Sequence, residues 1–243
     1  MFVDGYLFSS KRWYIRTIIP LSSILSGADN NWLEVTKNNK KMIKDCLVIN
    51  CTGKDDTIAL KVDNKFFLKK LQTNIIKYEA LSQVVLDFTK EHNVEIEQKF
   101  SILVNSGPGS FSGIRIALAV SKGIQLVKKS NIYSYNSFII NAAPYLRNVE
   151  ILTSIIKTNN FYYYSERNIG KNLKFTAPKK MDPNYLQTNN SFVVVSQELE
   201  NDDIVKNIDK KKVCIAEFDL KNIDILIENN LLENKLIKPL YLS

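Results

Sequence analysis

The sequence predicts an α/β protein, and three patterns support that fold class. Residues 46–146 alternate apolar strand-like runs with amphipathic helices in the order β-β-β-α-β-α. Within that run, a short apolar strand at 100–104 is followed by a glycine-rich turn and the start of a helix. Two later apolar runs, 192–195 and 213–216, are typical of buried parallel strands. A chain of 243 residues suits one large domain or two modest ones.

The individual elements follow from local patterns in chain order. Apolar runs predict strands at 46–50, 57–62 and 65–68, with a tight turn at Asp63-Asn64 between the last two. Helical spacing of apolar residues predicts helices at 78–91, after the glycine-rich turn and at 137–146, with a strand at 132–135 between the latter two. The second half predicts paired strands at 150–156 and 161–164, a loop-like stretch at 168–190, strands at 192–195 and 213–216, and a helix at 220–232.

These elements divide the chain into three parts. Residues 42–146 form a first α/β half, and residues 147–243 form a second, divergent α/β half. Residues 1–41 lack a comparable pattern, and we expect a poorly ordered extension or a non-native start upstream of Met42; a targeting segment is the alternative. The apolar stretch at 18–25 is interrupted by Pro20 and is far shorter than the ~20 residues of a membrane helix.

The composition excludes several classes of site. Cys46, Cys51 and Cys214 have no CxxC spacing, which favours free thiols in a reducing, cytoplasmic compartment. A single histidine, His92, cannot supply the clustered ligands of a zinc or iron site, and we therefore predict no metal. The polar neighbours of His92 favour a solvated helix end over a catalytic role.

The net charge of +8 raises the question of nucleic acid binding. The charges are scattered, and the longest basic run, Lys210-Lys211-Lys212, is typical of a solvated turn. Weak RNA contact within a larger assembly remains open. The run Phe161-Tyr162-Tyr163-Tyr164 favours a strand with alternate rings buried over a base-stacking platform.

The glycine-rich turn is the most informative segment of the chain. Glycines allow positive φ and close backbone approach, and a strand–turn–helix arrangement exposes backbone N–H groups where an anion is stabilised. The hydroxyls of the turn can also cap the helix. A capped helix without a ligand and a phosphate or nucleotide site are both compatible with this pattern. The candidate binding residues are Gly107, Gly109, Ser110, Ser112 and Gly113.

The helix after this turn is apolar over more than half of its circumference. Part of it must face the protein's own sheet, but a second buried face predicts contact with a partner. Arg115 either binds an interfacial carboxylate or lies in solvent. The predicted partner interface combines residues of this helix and of the preceding one: Ile114, Arg115, Ala117, Leu118, Ser121, Ile124, Leu81 and Val85.

The segment GPGSFSGIRIALAVSKGIQL, residues 107–126, closely resembles the GPGSFTGxRxGxxxAxGL signature of the bacterial TsaB (YeaZ) family of glycoprotease-like proteins. Ser112 replaces the threonine and keeps the hydroxyl. The resemblance extends more loosely over 42–143, and Pro239-Leu240-Tyr241-Leu242 is similar to the family's Pro-x-Tyr-Leu ending. Residues 1–41 have no counterpart.

The resemblance implies an actin/Hsp70/sugar-kinase-like fold with two α/β halves around a cleft. It implies a non-catalytic scaffold subunit of the complex that makes N6-threonylcarbamoyladenosine at position 37 of ANN-decoding tRNAs. The implied partners are the metal-bearing transferase subunit TsaD, the ATPase TsaE and tRNA through the complex, with a homodimer when the chain is alone and no membrane. No cofactor of its own is implied, although ATP or ADP could bind in the assembled complex.

One residue supports the non-catalytic role independently of the resemblance to TsaB. Active members of this fold carry a carboxylate at the end of the first strand, where this chain has Asn50, which cannot neutralise Mg²⁺. Asn50 thus argues against the alternative function, a free-standing ATP-dependent phosphotransferase, and the single histidine argues against a metallopeptidase. Lys77 and residues 157–159 also depart from the family pattern, so no role is transferred to them.

Overall fold

The structure is a computed structural model, and its described residues all lie within 42–243. The prediction for residues 1–41 lies outside the described residues. None of the helices in the described part of the chain is both long and apolar enough to span a bilayer. The structure describes residues 43–53, 56–71, 80–147, 149–158, 160–170, 174–182, 185–188, 191–206, 208–216, 219–234 and 237–242.

The first half is built on a five-stranded mixed sheet. Its strands are β1 (Cys46–Asn50), β2 (Thr57–Val62), β3 (Lys65–Lys70), β4 (Ser101–Asn105) and β5 (Asn131–Tyr135), in the order β3-β2-β1-β4-β5. The pairs β1–β2 and β2–β3 are antiparallel, whereas β1–β4 and β4–β5 are parallel. The predicted turn at Asp63 and Asn64 is confirmed, with φ of 48° and 62°, as a tight hairpin of this hand requires.

The second half repeats this arrangement. Its strands are β6 (Ile151–Thr158), β7 (Phe161–Asn168), β8 (Lys179–Lys180), β9 (Phe192–Ser196) and β10 (Val213–Ala216), in the order β10-β9-β6-β7-β8. Again the pairs β6–β7 and β7–β8 are antiparallel, whereas β6–β9 and β9–β10 are parallel. The topology is therefore duplicated although the sequence shows no repeat. When the last parallel pairs of the two sheets, Ile49–Val104 and Ile155–Val195, are taken as equivalent, Asn50 corresponds to Ile156 and Asn105 to Ser196.

Helices separate and flank the two sheets. Helices α1 (Leu81–Glu91) and α2 (Phe111–Lys128) cover the outer face of the first sheet, where they pack on Leu47 and Ile49. Helices α3 (Ser137–Ala142) and α6 (Ile223–Glu228) lie between the sheets, in a core that joins Val48 to Val194. The short helices α4 (Tyr185–Thr188) and α5 (Asp203–Lys206) contribute to a small cluster on the outer face of the second sheet.

Three predicted elements are shorter or more structured than expected. The predicted helix 220–232 is a 3₁₀ turn followed by α6, which ends because Asn230 adopts φ of 54° and Leu231 N–H donates to Leu226 O at 3.0 Å. The predicted helix 137–146 becomes a 3₁₀ turn after Ala142, where Pro144 follows. The stretch predicted as loop, 168–190, contains β8 and α4.

Candidate functional site

The glycine-rich loop joins β4 to α2 at the edge of a cleft between the two sheets. Ser110 is the N-cap of α2, and its hydroxyl accepts a hydrogen bond from Gly113 N–H at 3.3 Å. Ser112, the other predicted cap, instead lies in the first turn of α2 and is exposed. The prediction that a serine caps this helix is confirmed for Ser110 alone.

Gly109 makes the closest backbone approach in the loop. Its φ is +159°, and a Cβ on this residue would lie 2.2 Å from the carbonyl oxygen of Thr52. The neighbouring Ser110 N–H donates to the same oxygen at 2.7 Å. Because this distance leaves no room for a side chain, the loop and the segment after β1 can touch only with glycine at this position.

Two buried asparagines support the loop from below. The Asn105 side chain donates from Nδ2 to Asn50 Oδ1 at 2.8 Å and accepts Gly107 N–H on Oδ1 at 2.9 Å. Ser137, at the start of α3, donates its hydroxyl to Pro108 O at 3.0 Å. Asn105 is fully buried, so these bonds satisfy polar groups that water does not reach. Sequence reasoning missed Asn105; the signal was an amide at a strand end before a glycine-rich turn.

These internal hydrogen bonds reduce the number of loop N–H groups that are available to bind a phosphate. The N–H groups of Gly107, Ser110 and Gly113 already donate to Asn105, Thr52 and Ser110 respectively. Such groups are the donors that a bound anion would need. The phosphate-binding role of Gly107, Gly109, Ser110, Ser112 and Gly113 stays a prediction, and the internal bonds favour the interpretation of a capped helix.

The cleft beside the loop has a volume of about 420 Å³. Its first-half wall is formed by the ends of β1 and the loop, and its second-half wall by the ends of β6 and β9. Among the described residues, no group of three His, Cys, Asp or Glu side chains is placed as metal ligands would be. The lining includes Asn50, Thr52, Gly109, Ser110, Asn141, Lys157, Thr158, Ser196, Gln197 and Glu198.

One charged cluster stands at the second-half side of this cleft. Lys157 Nζ lies 2.8 Å from Asp202 Oδ2, and the Tyr162 hydroxyl donates to the other carboxylate oxygen. Burial by itself would raise the pKa of Asp202, but the hydrogen bonds from Lys157, Tyr162 and the Ile204 N–H outweigh it and lower the pKa to about 2. The same bond to Asp202 raises the pKa of Lys157. Lys157 and Asp202 are therefore both charged at neutral pH, whereas Tyr162, whose pKa is raised by its hydrogen bond to Asp202, is neutral.

A second concave feature lies on the opposite face of the first sheet, between α1 and α2. This groove, about 530 Å³ in volume, is bordered by exposed aliphatic side chains. Val127 is 77% exposed and Leu86 50%, whereas Leu126, at 80%, is exposed outside the groove. Gly123 forms part of the floor, and nothing lies within 4 Å of where its Cβ would be. The groove is thus open, apolar and smooth.

The residues predicted for a partner interface lie mostly elsewhere, and this corrects the prediction. Six of them are buried in the chain's own core, and the Ser121 hydroxyl donates to Ala117 O at 2.7 Å inside α2. The inward stripe of the helix is set by the sheet, which its own periodicity does not reveal. Of the predicted residues, Ile124 and the buried Val85 line the groove, and Arg115 is exposed. The six buried residues are Ile114, Ala117, Leu118, Ser121, Leu81 and Val85.

The true outward stripe could have been recognised from spacing. Val120, Ile124 and Val127 recur at helical intervals on α2, beside the inward stripe. Leu86 on α1 is exposed one residue after the buried Val85. When a helix has two adjacent apolar stripes, only a tertiary contact shows which one faces inward. Here the stripe that contains Ala117 packs on the sheet, and the stripe that contains Val120 faces outward.

The interpretation of His92 as a solvated helix end is wrong. Its ring stacks on Phe67 with the centroids 4.1 Å apart and meets Phe88 edge-on at 4.8 Å. The residue is half-buried at the end of α1, and its role is to pack that end against β3. By contrast, the tyrosine run is confirmed as strand β7 with Tyr163 buried, and Lys210–Lys212 form an exposed turn.

The segment 237–242 lies next to the loop. Leu240 N–H donates to Ser106 O at 2.7 Å, and Leu240 O lies 3.0 Å from where a Cβ on Gly107 would be. Leu240 and Leu242 pack on a small cluster of Phe138, Ile156 and Tyr163. This segment therefore connects the loop of the first half with the sheet of the second half.

Comparison with known proteins gives one sequence relative and several structural ones. A scan against protein-family models finds no match. The chain is 28% identical over 135 residues to the tRNA threonylcarbamoyladenosine biosynthesis protein TsaB of Buchnera aphidicola subsp. Baizongia pistaciae, covering 52% of this chain and 60% of that protein. The chain thus spans less than two thirds of the curated relative it matches.

Two solved structures from Pseudomonas aeruginosa share the fold. YeaZ superposes with a TM-score of 0.60 at 16% identity, covering 82% of this chain and all of that one. An uncharacterized protein with similarity to peptidase YEAZ superposes with a TM-score of 0.61 at 14% identity and the same coverage. The resemblance to the TsaB/YeaZ family is confirmed by these matches, and so is the predicted fold class of two α/β halves with mixed sheets flanked by helices.

Proposed function

We propose that this chain is the TsaB-type scaffold subunit of the machinery that makes threonylcarbamoyladenosine in tRNA. In this proposal it pairs with the transferase subunit TsaD, works with the ATPase TsaE, acts in the cytoplasm and contributes no catalytic residue. The name of the Buchnera relative and the fold shared with YeaZ support the pathway. The observation that carries the scaffold role is the open apolar groove between α1 and α2.

The groove is suited to a helical partner. Exposed aliphatic residues scattered over a surface are ordinary, but Leu86 and Val127 line the same concavity, together with Val120 and Ile124. A glycine floor at Gly123 lets a partner helix approach closely, as ridges-into-grooves packing requires. The fold that the resemblance implies for TsaD is related, so a matching helix pair is the proposed occupant. A second copy of this chain would occupy the groove when TsaD is absent.

The supporting residues of the cleft fit a non-catalytic role. Asn50 and Asn105 are neutral amides bonded to each other at 2.8 Å, at the strand ends where a carboxylate would bind Mg²⁺. The loop N–H groups are used internally. ATP or ADP bound in the assembled complex would therefore rely on groups that the partner supplies, and we propose no nucleotide turnover by this chain alone.

A charge placed in the groove tests the pairing. Val127→Glu puts a carboxylate at the contact, where it has no partner, and should weaken binding to TsaD at least about 100-fold, because a buried unpaired charge costs several kcal/mol. Ile169→Glu, at an equally aliphatic site that is 41% exposed in the second half, is the matched control and should bind like the unmodified chain. Isothermal titration of the purified subunits measures both. If the Val127→Glu variant binds TsaD as tightly as the unmodified chain, the groove is not the binding site for TsaD.

The pathway itself is tested in the native host. Deletion of the gene should remove threonylcarbamoyladenosine from the tRNA nucleosides detected by mass spectrometry. The Ile169→Glu variant should restore it, and the Val127→Glu variant should not. Unchanged modification after deletion would refute the proposed pathway.

A further inference from the structure

Two exposed aromatic rings each lie next to a cationic side chain. Phe111 is 57% exposed, and the Arg115 guanidinium lies 5.1 Å from its ring centroid. Phe161 is 47% exposed, and Lys180 Nζ lies 3.3 Å from its ring centroid. Tyr241, 51% exposed, stacks on Phe111 with the centroids 5.1 Å apart. Large rings are normally buried, so three that remain exposed next to cations call for an explanation.

The segment 237–242 brings the two pairs to the same side of the molecule. Tyr241 lies between Leu240 and Leu242, which pack against the cluster that contains Tyr163. Tyr163 is two residues from Phe161 along β7, on the same face of the strand, and it pairs with Lys180 of β8. We call the set Phe111, Arg115, Tyr241, Phe161 and Lys180 the aromatic–cation surface.

Among the described residues, the cations of this surface are not paired with carboxylates, although Asp182, two residues after Lys180, is also exposed. Within the described ranges, no ion pair involves Arg115 or Lys180. Lys179 and Lys238, the sequence neighbours of Lys180 and of the Tyr241 segment, are also exposed. Cations that are not neutralised by carboxylates attract an anionic partner, and flat rings beside them offer stacking faces.

We propose that the aromatic–cation surface binds RNA, with phosphates at Arg115 and Lys180 and unstacked bases on Tyr241 and Phe161. Proteins hold single-stranded nucleotides in this way, because every base has a face that stacks and every nucleotide has a phosphate. The identity of the RNA as tRNA rests on the proposed function.

Direct binding tests the proposal. The probe is an unmodified tRNA transcript that reads an ANN codon, and fluorescence anisotropy of the full chain measures its affinity with and without TsaD. Arg115→Glu combined with Lys180→Glu should lower the affinity at least about tenfold and flatten its salt dependence. Phe161→Ala combined with Tyr241→Ala should lower it about tenfold, whereas Tyr241→Phe, which keeps the ring, should not.

The matched control reverses two exposed lysines elsewhere. Lys210→Glu combined with Lys221→Glu changes the net charge equally and should leave the affinity within about twofold. Thermal melting checks that every variant is folded. Equal loss in control and test variants, unchanged affinity in the test variants, no RNA binding by the unmodified chain, or loss of TsaD pairing instead would each overturn the proposal.

The outcome is separable from that of the proposed function. If tRNA modification survives deletion of the gene while the test variants lose RNA affinity, the pathway is wrong and the surface is right. If deletion abolishes modification while the test variants bind RNA normally, the surface alone is wrong.

Discussion

The two halves of the molecule have the same strand order but very different outer coverings. In the first half the outer helices α1 and α2 have 11 and 18 residues, whereas α4 and α5 in the second half have 4 each. Long crossovers create the groove and carry its exposed aliphatic residues, whereas α4 and α5 contribute to a small apolar cluster on the second sheet. Docking capacity therefore depends on the connections between strands, while the shared sheet topology supplies only the frame.

The cleft shows the same asymmetry at equivalent positions. Asn50 and Asn105 end the central strands of the first half and fasten the glycine-rich loop. In the second half the matching positions hold Ile156, which packs in an apolar cluster, and Ser196, whose hydroxyl donates only to the exposed side chain of Glu198. The first half thus keeps a polar support that its counterpart has replaced with packing.

The strongest test of this asymmetry removes the close approach of the loop. Gly109→Ala would place a Cβ 2.2 Å from Thr52 O at a φ that alanine rarely adopts, and should destabilise the fold by about 2–4 kcal/mol. Gly123→Ala, in open space on α2, should stabilise it by about 0.5–1 kcal/mol. Urea unfolding measures both free energies. Equal effects at the two glycines would show that the loop can shift away.

A smaller effect is expected from the polar support. Asn105→Ala leaves the buried N–H of Gly107 without its acceptor and should cost about 1–3 kcal/mol of unfolding free energy. Ser196→Ala at the equivalent position of the second half should cost less than about 0.5 kcal/mol, since its bond is exposed. If both cost the same in urea titrations, the proposed difference between the halves does not exist.

The smallest effect concerns the charged cluster of the second half. The pKa of Asp202 is lowered to about 2 in the folded chain, below the ~3.9 of an unfolded aspartate. Its carboxylate therefore stabilises the fold above about pH 4, and that contribution is lost as the pH falls toward 2. The stability gap between the unmodified chain and Asp202→Asn should narrow over that range in pH-dependent thermal melts. Asp203→Asn, at an exposed neighbour, controls for loss of one carboxylate.

Most strands were predictable from sequence, whereas β8 and the side of each helix that faces inward were not. The residue types of a run such as Phe192-Val193-Val194-Val195 are enough to predict a buried strand. On α2, however, Ala117 and Val120 are both apolar, and only the sheet beneath determines that the first is fully buried. When a helix is apolar on two sides, its own sequence does not show which side faces the core.

Contacts between distant residues account for the other differences. His92 has polar sequence neighbours, but its stacking partner Phe67 comes from β3. Likewise, the role of Asn105 depends on Asn50, which follows from the parallel pairing of β1 with β4. The glycine-rich loop was recognisable from sequence, whereas the bonds that use up its N–H groups depend on Thr52 and Asn105 and required the structure.

The pairing between Ser134 on β5 and Glu233 has a consequence for self-assembly. Open sheet edges are where identical chains add strand to strand and grow into aggregates. Here the β5 edge is shielded by the chain's own later segment, and the opposite edge strand, β3, carries Lys65, Lys69 and Lys70, whose mutual repulsion opposes such growth. The first sheet can therefore carry an apolar groove on its outer face without offering its edge backbone to strands of other copies.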